Sequence, residues 1–326
     1  MAVEQPPPAA LPFDKYHGLG NDFLVIDARA LDLARLRAAA PQLCDRHRGV
    51  GGDGLLLLLR SEPRPAMRVI NADGSVPEMC GNGLRCFVQW LDDRGALAGS
   101  ASTVAPHVGQ QGNNAQGGPR EPRAGDVDGS GLDSADIDTD AGTLRCRMHR
   151  DANGRIVEVE VRMGSGNFAP SAIPMDAVAP LINGEFSAAG KTLRGTALSV
   201  GNPHLVLFEP AAVADRVRLG PQLERLALFP ARVNVEFCTP LSPDPDGTAR
   251  MGVDVFERGC GWTQACGTGA TAAVLAAVKL GRHAVGAPMR VQLPGGWLTI
   301  TVDTDGIATM RGPTAAVFRG ETNLPS

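Results

Sequence analysis

Apolar and polar residues alternate along the first third of the chain in a way that predicts short strands joined by turns and helices. Three apolar runs bounded by turn residues predict buried strands, at 22–27, 54–59 and 67–71. The Ala, Leu and Arg stretch at 31–40 predicts a helix that ends at Pro41, because proline cannot donate the next helical hydrogen bond. Residues 84–91 predict a second helix, with Gly95 as its stop signal.

The second half of the chain repeats this organisation. Alternating or apolar runs predict strands at 198–208, 232–238, 251–259, 289–301 and 307–318. The first of these strands is interrupted by a Gly-Asn turn, and the peptide LPGGWL marks a hairpin. An apolar helix is predicted at 270–280. The pattern as a whole predicts an α/β protein.

Two pairs of similar peptides indicate an internal duplication. GLGNDFLVID at 18–27 resembles SVGNPHLVLF at 199–208, and CGNG around Cys80 resembles CGTG around Cys266. The asparagine and the cysteine are 59 residues apart in the first pair and 64 in the second. Similar spacings in the same order predict two related half-domains, with the two thiols facing each other across a cleft.

Composition and charge narrow the class of protein. The 326 residues are enough for two ordinary domains, and 43% apolar and 20% charged residues are typical of a globular enzyme. A net charge of −4 gives no reason to expect nucleic acid or a membrane as partner, and no apolar run approaches the roughly 18 residues of a membrane span. The N-terminal sequence does not resemble a secretory signal. Seven cysteines, an odd number, predict reduced thiols in the cytoplasm rather than a disulfide framework.

Two segments are predicted to be disordered. The Pro-rich residues 1–11 are expected to form a frayed tail. Residues 105–135 are rich in Gly, Asn, Gln, Asp, Pro and Arg, and they cannot bury enough apolar surface to offset the entropy of ordering them. We interpret this segment as an insertion rather than a domain linker, because strand-like sequence resumes on both sides.

Cys80 and Cys266 each stand where a Gly-rich turn leads into an apolar helix. A helix N-terminus has unsatisfied N–H groups and binds anions, and it favours the thiolate form of a cysteine. Two such sites facing each other could hold a carboxylate between them. One thiolate could then remove the proton from the adjacent α-carbon while the opposite thiol returns one to the other face. This chemistry inverts a stereocentre, and it is expected to need no cofactor.

Other interpretations of these turns stay open. A cysteine at a tight turn is often only a small buried apolar residue. A zinc site is disfavoured, because Cys80 and Cys86, like Cys260 and Cys266, have five intervening residues, whereas zinc ligands typically have two to four. We therefore expect no metal. The Gly-rich turns also lack the Gly-Lys-Ser/Thr of a phosphate-binding loop.

Several polar residues are placed to assist the thiols or to bind a ligand. His204 and Glu257 are the best candidates for tuning the thiols. Arg258 could pair with a carboxylate through two parallel hydrogen bonds. Four asparagines in or beside turns would together suit a zwitterionic ligand, which needs both donors and acceptors: Asn21, Asn71, Asn202 and Asn234.

The motifs HGLGNDF, NADGS, MCGNGLRCF, GNPH and FERGCGWTQACGTGA resemble those of the diaminopimelate epimerase family. The resemblance extends from about Lys15 to Gly320, without the insertion. It implies a cofactor-independent homodimeric enzyme that interconverts LL- and meso-diaminopimelate for lysine and peptidoglycan synthesis. It also implies an α/β (α+β) fold of two pseudo-symmetric domains, each a curled mixed sheet around a central helix, with the active site in the cleft between them.

The resemblance also implies domain limits and residue roles. The N-terminal half would comprise residues 12–162, completed by the last strand at 314–326, and the C-terminal half residues 163–313. Cys80 and Cys266 would be the acid–base pair. Backbone N–H groups would hold the reacting carboxylate, at Gly81, Asn82, Gly267 and Thr268. The remaining substrate contacts would come from Asn21, Asn71, Asn202, Asn234, Glu257 and Arg258, with His204 and Glu257 modulating the thiols.

The sequence departs from the family pattern at several positions. Gly54 stands where the family often has a substrate-contacting glutamine, and Trp262 where an acidic residue is common. Phe318 replaces a tyrosine of the family's dimer contact. Two alternatives therefore stay open beside the epimerase: a racemase or epimerase of another amino acid, and a non-enzymatic protein of thiol redox or ligand-binding function.

Overall fold

The computed structural model describes residues 10–77, 80–97, 127–128, 132–209 and 212–324. In these residues a mixed sheet of 18 strands surrounds a small number of helices. Most of the predicted tail and much of the predicted insertion lie outside the described residues. No helix of the described part is long and apolar enough to cross a membrane.

The first half of the chain contributes eight strands and two helices. In chain order these are β1 (Ala10–Gly18), β2 (Asn21–Asp27), α1 (Leu33–Leu43), β3 (Gly54–Arg60), β4 (Ala66–Asn71), α2 (Gly81–Asp93), β5 (Val127–Asp128), β6 (Leu132–Thr139), β7 (Gly142–Arg150) and β8 (Ile156–Ser165). The strands predicted at 22–27, 54–59 and 67–71 are confirmed as β2, β3 and β4.

The second half begins with a short 3₁₀ helix, Pro170–Ala172, and continues with ten strands and two helices. These are β9 (Gly184–Ala188), β10 (Lys191–Ser199), β11 (Pro203–Leu207), α3 (Val213–Glu224), β12 (Asn234–Leu241), β13 (Ala249–Glu257), β14 (Gly261–Trp262), α4 (Gly267–Lys279), β15 (Pro288–Leu293), β16 (Gly296–Val302), β17 (Ile307–Gly312) and β18 (Ala315–Asn323). The predicted hairpin is confirmed by the antiparallel pairing of β15 with β16.

Several predicted boundaries were wrong: the helices predicted at 84–91 and 270–280 are Gly81–Asp93 and Gly267–Lys279, and three further differences have a physical reason. Helix α1 continues through Pro41 to Leu43, because Leu43 is buried and a proline in the last turn removes only one N–H. Strand β1 begins at Ala10, inside the predicted tail, because Leu11 is buried in the core. The predicted insertion overlaps β5 and β6, and β6 is held by antiparallel pairing with β7 from Asp133 to Thr139.

The two halves repeat one arrangement around a central helix. A parallel pair, β2 with β3, recurs in the second half as β11 with β12. Helix α2 packs against β1, β2 and β8, and α4 packs against β11, β12 and β16. Strand β8 pairs with β17 and β1 pairs with β18, so the sheet continues from one half into the other. The division into two domains at the predicted residues stays a prediction.

The cores of the two halves meet between α2 and α4. Buried residues of both helices, among them Phe87 and Val274, belong to one continuous apolar cluster. The rings of Phe87 and Trp90 stack within α2, which is nearly surrounded by sheet. Helix α4 is buried over almost all its length, which explains its small residues, GTGATAAV, at the positions closest to the strands. This packing brings the first turns of the two helices together.

Candidate active site

Both cysteines singled out by the sequence are the N-cap residues of buried helices. Cys80 precedes α2 and Cys266 precedes α4, each with an extended backbone. The Cys80 Sγ accepts a hydrogen bond from the N–H of Gly83 at 3.3 Å, and the Cys266 Sγ accepts one from Gly269 at 3.3 Å. The remaining first-turn N–H groups have no acceptor within their own helix, as at any helix N-terminus. Each thiol is therefore held beside an anion-binding helix end.

The two helix N-termini lie against each other. The Asn82 side chain, on the first turn of α2, donates to the carbonyl of Ala265, immediately before Cys266, at 2.9 Å. Met310 of β17 also packs against the first turns of both helices. A Cβ placed on Gly81 would lie 2.8 Å from the Met310 Cε, and one on Gly267 would lie 2.9 Å from its Sδ. The glycines therefore let both helices approach one methionine.

The environment of both thiols favours the protonated form. Burial raises the pKa of Cys80 to about 11, against the opposing effects of the Gly83 N–H and the nearby Arg85. Burial and the negative charge of Glu257 raise the pKa of Cys266 well above its usual value. The expectation of favoured thiolates at helix ends was therefore wrong for this state, because desolvation outweighs the helix N–H groups.

Cys266 is surrounded by acceptors and acidic groups. Its Sγ lies 3.5 Å from the Thr268 Oγ1 and is almost fully buried. Burial raises the pKa of Glu257, while hydrogen bonds from Thr263 and Cys266 oppose that shift. The Thr263 hydroxyl donates to the Glu257 Oε1 at 2.6 Å. Glu257 is therefore held next to Cys266.

His204 lies one step further from the thiols than the sequence suggested. It is fully buried, with Nδ1 2.7 Å from the Glu236 Oε1 and Nε2 2.8 Å from the Asn202 Oδ1. The Asn202 amide in turn donates to the Thr268 Oγ1 at 3.4 Å. A chain of polar contacts thus runs from Glu236 through His204 to the hydroxyl beside Cys266. This chain connects His204 to the immediate surroundings of that thiol.

The asparagines form two groups on either side of the helix ends. Asn21 donates to Asp53 at 2.7 Å and accepts from Asn82 at 3.2 Å, and Asn71 donates to the Ser75 hydroxyl at 2.9 Å.

On the other side of the helix ends, Asn234 donates to the carbonyl of Pro203 and accepts from the N–H of Arg258. The Arg258 guanidinium contacts the Ala231 carbonyl at 3.4 Å. These contacts fix the orientation of the side chains within each group.

Sequence reasoning missed three polar residues that hold this site. Glu236 is fully buried against His204, and its Oε2 has no hydrogen-bond partner among the described residues. Asp53 orients Asn21, and Arg85 donates to the Asn82 Oδ1 at 2.9 Å. The sequence contained one signal for Glu236. Successive side chains of a strand point to opposite faces, so Glu236 of β12 lies on the same face as the buried Asn234. Nothing in the sequence indicated the partners of Asp53 or Arg85.

The positions that depart from the family pattern have structural explanations. A Cβ on Gly54 would lie 2.5 Å from the Ile70 carbonyl oxygen, so this backbone excludes a larger residue without a shift. Trp262 packs against the rings of Phe237 and Phe256. Phe318 is half exposed and contacts the edge of Phe13.

The described residues contain no group of three or more His, Cys, Asp or Glu side chains that could hold a metal ion. They do form a small surface recess at the first turn of α2. Its lining is mostly apolar, from Met67, Val69, Pro77, Leu84 and Leu144, and it also includes Cys80, Thr139 and Asp140. Cys80 is therefore the thiol that is accessible from this recess.

Comparison with known proteins gives a consistent result along the chain. The family model described as diaminopimelate epimerase matches residues 13–110 and 196–317. A diaminopimelate epimerase of Desulfitobacterium hafniense is 37% identical over 312 residues, covering 94% of this chain and 96% of that protein. One of Rhizorhabdus wittichii is 40% identical over 320 residues, covering 96% and 95%.

Solved structures with the same fold are more distant in sequence. A probable proline racemase from Agrobacterium radiobacter has a TM-score of 0.65 at 14% identity, covering 97% of this chain and 93% of that one. A predicted epimerase from Pseudomonas aeruginosa has a TM-score of 0.60 at 18% identity, covering 97% and 100%. At this identity the likeness shows the fold alone, and it confirms the predicted fold class.

Proposed function

Because the chain belongs to the diaminopimelate epimerase family, it is an isomerase, and we propose that it interconverts LL- and meso-diaminopimelate by inverting one α-carbon. The resemblance seen in the sequence motifs is thereby confirmed at the level of the family. The single observation that supports the chemistry is the meeting of two cysteine-capped helix N-termini across Gly81, Gly267 and Met310.

In the proposed reaction Cys80 and Cys266 are the two proton-transfer groups. The thiolate of one removes the α-proton, and the C–H electron pair stays on the substrate, where the carboxylate delocalises it. The thiol of the other then donates its proton to the opposite face of the carbon. The thiolate and the thiol have exchanged places, no electron is lost, and the reverse reaction restores the starting state.

The substrate carboxylate would be held by the first N–H groups of both helices. These belong to Gly81, Asn82, Gly267 and Thr268, and the helix dipoles favour an anion at this point. Burial raises the pKa of both thiols, so the proposed thiolate depends on the first N–H groups of the two helices for its stabilisation.

The rest of the substrate would be bound by the two groups of polar residues around the helix ends. We assign its ammonium groups and its distal carboxylate to Asn21, Asn71, Asn202, Asn234, Glu257 and Arg258. Glu257 and His204 would also tune the thiols, Glu257 directly and His204 through Asn202 and Thr268. Amide side chains suit a zwitterion because each provides both a donor and an acceptor.

Incubation with LL-diaminopimelate in D₂O tests the function. We expect meso product carrying deuterium at the inverted α-carbon, without any added cofactor. An enzyme that instead acts on short amino acids lacking a second α-centre would be a racemase of another amino acid, an alternative that the glycine at position 54 keeps open. A protein that exchanges no α-proton in any amino acid would have a thiol redox or ligand-binding function.

We further propose that the enzyme is a cytoplasmic homodimer that serves lysine and peptidoglycan synthesis. A reducing compartment is required because both thiols must be free to carry protons, and all seven cysteines are free in the structure. Strand β18 pairs with β1 and exposes Val317 and Phe318, which gives an apolar surface for a second copy. Sedimentation of the wild type and of Phe318→Asp tests the dimer: the variant should sediment as a monomer.

A further inference from the structure

Arg85 is a buried cation that forms no ion pair within the described part of the chain. It lies on the first turns of α2, its side chain is fully buried, and its Nε has no hydrogen-bond partner among the described residues. Its two other nitrogens contact neutral groups, the Asn82 Oδ1 at 2.9 Å and the Met310 Sδ at 3.6 Å. Within the described part of the chain it forms no ion pair with any carboxylate.

An isolated buried charge is costly. Burial lowers the pKa of Arg85, but a guanidinium stays charged in proteins, so the cost cannot be avoided by deprotonation. Transferring a charge from water into the protein interior is unfavourable unless a nearby anion or hydrogen bonds compensate. One amide oxygen and one thioether do not supply that compensation, so the structure points to an anion that is formed or bound nearby.

The contacts of Arg85 locate that anion at the two helix N-termini. Asn82 bridges to the residue before Cys266, and Met310 contacts both Gly81 and Gly267. The guanidinium therefore contacts the two side chains, Asn82 and Met310, that lie where the helices meet. The titratable groups that interact electrostatically with Arg85 are Cys80, Cys86 and Glu158. Those that interact electrostatically with Cys80 are Glu257, Asp53 and Arg85 itself. Arg85 is the one cation in that set.

We propose that Arg85 is the counter-charge for the anions that arise at the two helix N-termini, the Cys80 thiolate and the carboxylate held beside it. The part that concerns the substrate rests on the proposed epimerase activity. When the α-proton leaves, further negative charge develops on the carboxylate, and a fixed cation in a dry site stabilises it without reorganisation. Arg85 acts through space and through Asn82, and it touches neither thiol nor substrate.

Two variants separate the charge of Arg85 from its hydrogen bonds. Arg85→Gln keeps a donor for Asn82 but removes the charge, and Arg85→Met removes both. Arg150→Met is the matched control, because Arg150 is a partly buried arginine of the same half that is ion-paired with Asp92 and Asp133. Thermal unfolding shows whether each variant is folded, and Arg85→Gln serves if Arg85→Met is not.

The decisive readout is the pH at which Cys80 is half-maximally carbamidomethylated by iodoacetamide, followed by peptide mapping. It needs no enzymatic activity, so it tests Arg85 even if the proposed function is wrong. We expect both Arg85 variants to raise this pH by about one unit, since a close opposite charge lowers the pKa of an acid by about one to three units. The Arg150→Met control should leave it unchanged.

If wild-type protein epimerises diaminopimelate, both Arg85 variants should also lower kcat by about 10- to 100-fold with a smaller effect on KM. The proposal would be overturned if Arg85→Gln had the alkylation pH and kcat of the wild type while Arg85→Met did not. The hydrogen bond to Asn82, and not the charge, would then be what Arg85 contributes. An unchanged alkylation pH in both variants would overturn it as well. If the wild type did not epimerise diaminopimelate, the proposed function would be refuted. The alkylation pH of Cys80 would then test by itself whether Arg85 is the counter-charge of that thiolate.

Discussion

The N-termini of α2 and α4 share one local structure but differ in burial and in the charges around the thiol. In both, an extended cysteine caps the helix, its sulfur accepts from the N–H three residues later, and glycine follows. Cys80 is partly accessible and has Arg85 as its cationic neighbour. Cys266 is buried, and its charged neighbours Glu257 and Glu236 are both acidic.

This difference shows that a local motif positions a thiol but does not set its ionisation. The helix end contributes the same N–H groups at both sites, whereas burial and neighbouring charges come from distant parts of the chain. We therefore expect a proton shared by the two cysteines to reside on Cys266, and Cys80 to be the first thiol to ionise. Four experiments test this comparison, from the largest expected effect to the smallest.

Replacement of either thiol should have the largest effect. Cys80→Ser and Cys266→Ser should each lower kcat/KM for epimerisation by about 10²- to 10⁴-fold, because a hydroxyl is a far weaker acid than a thiol and, in the proposed mechanism, each group serves one face of the carbon. A coupled assay of meso-diaminopimelate formation measures kcat/KM of each variant and of the wild type. Cys146→Ser, in a buried strand position of the first half, is the control and should retain activity. Substantial activity in either Cys80→Ser or Cys266→Ser would refute the proposed two-thiol mechanism.

Glu257→Gln should separate the two thiols. It removes the negative charge that raises the pKa of Cys266, so Cys266 should be half-alkylated at a pH about one unit lower, while Cys80 changes less. With Cys266 less firmly protonated, kcat/KM should fall by about 10- to 100-fold. Glu224→Gln, a buried carboxylate that accepts from the Gly259 N–H, is the control and should not shift Cys266. If the pH at which Cys266 is half-alkylated were unchanged in Glu257→Gln, the electrostatic difference between the two thiols would be contradicted.

The order of alkylation tests the comparison without any substitution. At pH 8 iodoacetamide should modify Cys80 about tenfold faster than Cys266, because Cys80 is more accessible and its thiolate is more favoured. Peptide mapping over time measures both rates in one sample, with the buried Cys146 as an internal reference. Faster modification of Cys266 would reverse the assignment of the first thiol to ionise.

Alanine in place of the glycine after each cysteine should have the smallest effect. A Cβ on Gly81 meets the flexible end of Met310, whereas a Cβ on Gly267 meets its sulfur and lies 3.4 Å from the Asn82 Oδ1. Gly267→Ala should therefore lower stability more, by about 1–3 kcal/mol, with a few-fold loss of kcat/KM, as is usual for overpacking. Thermal unfolding and kinetics measure both. Adding Met310→Ala should restore part of the stability of each variant, and a failure to do so would show that Met310 is not the obstacle.

The sequence by itself determined most of the secondary structure and the identity of the central pair of thiols. Local rules suffice for these, since apolar runs bounded by turn residues predicted β2, β3 and β4. A cysteine before glycine and an apolar helix predicted both N-caps. The boundaries at Pro41 and Leu11 were wrong because burial in the tertiary structure outweighed a local stop signal and a Pro-rich composition.

Only the tertiary structure decided the electrostatics of the site. Burial, which reverses the expected preference for thiolate, depends on strands that close around each helix from far along the chain. The contacts of Arg85 with Met310 and of Glu236 with His204 join residues 225 and 32 positions apart. A sequence pattern reports which side chains are near each other within one helix or strand, but desolvation and long-range charge depend on the packing of the whole fold.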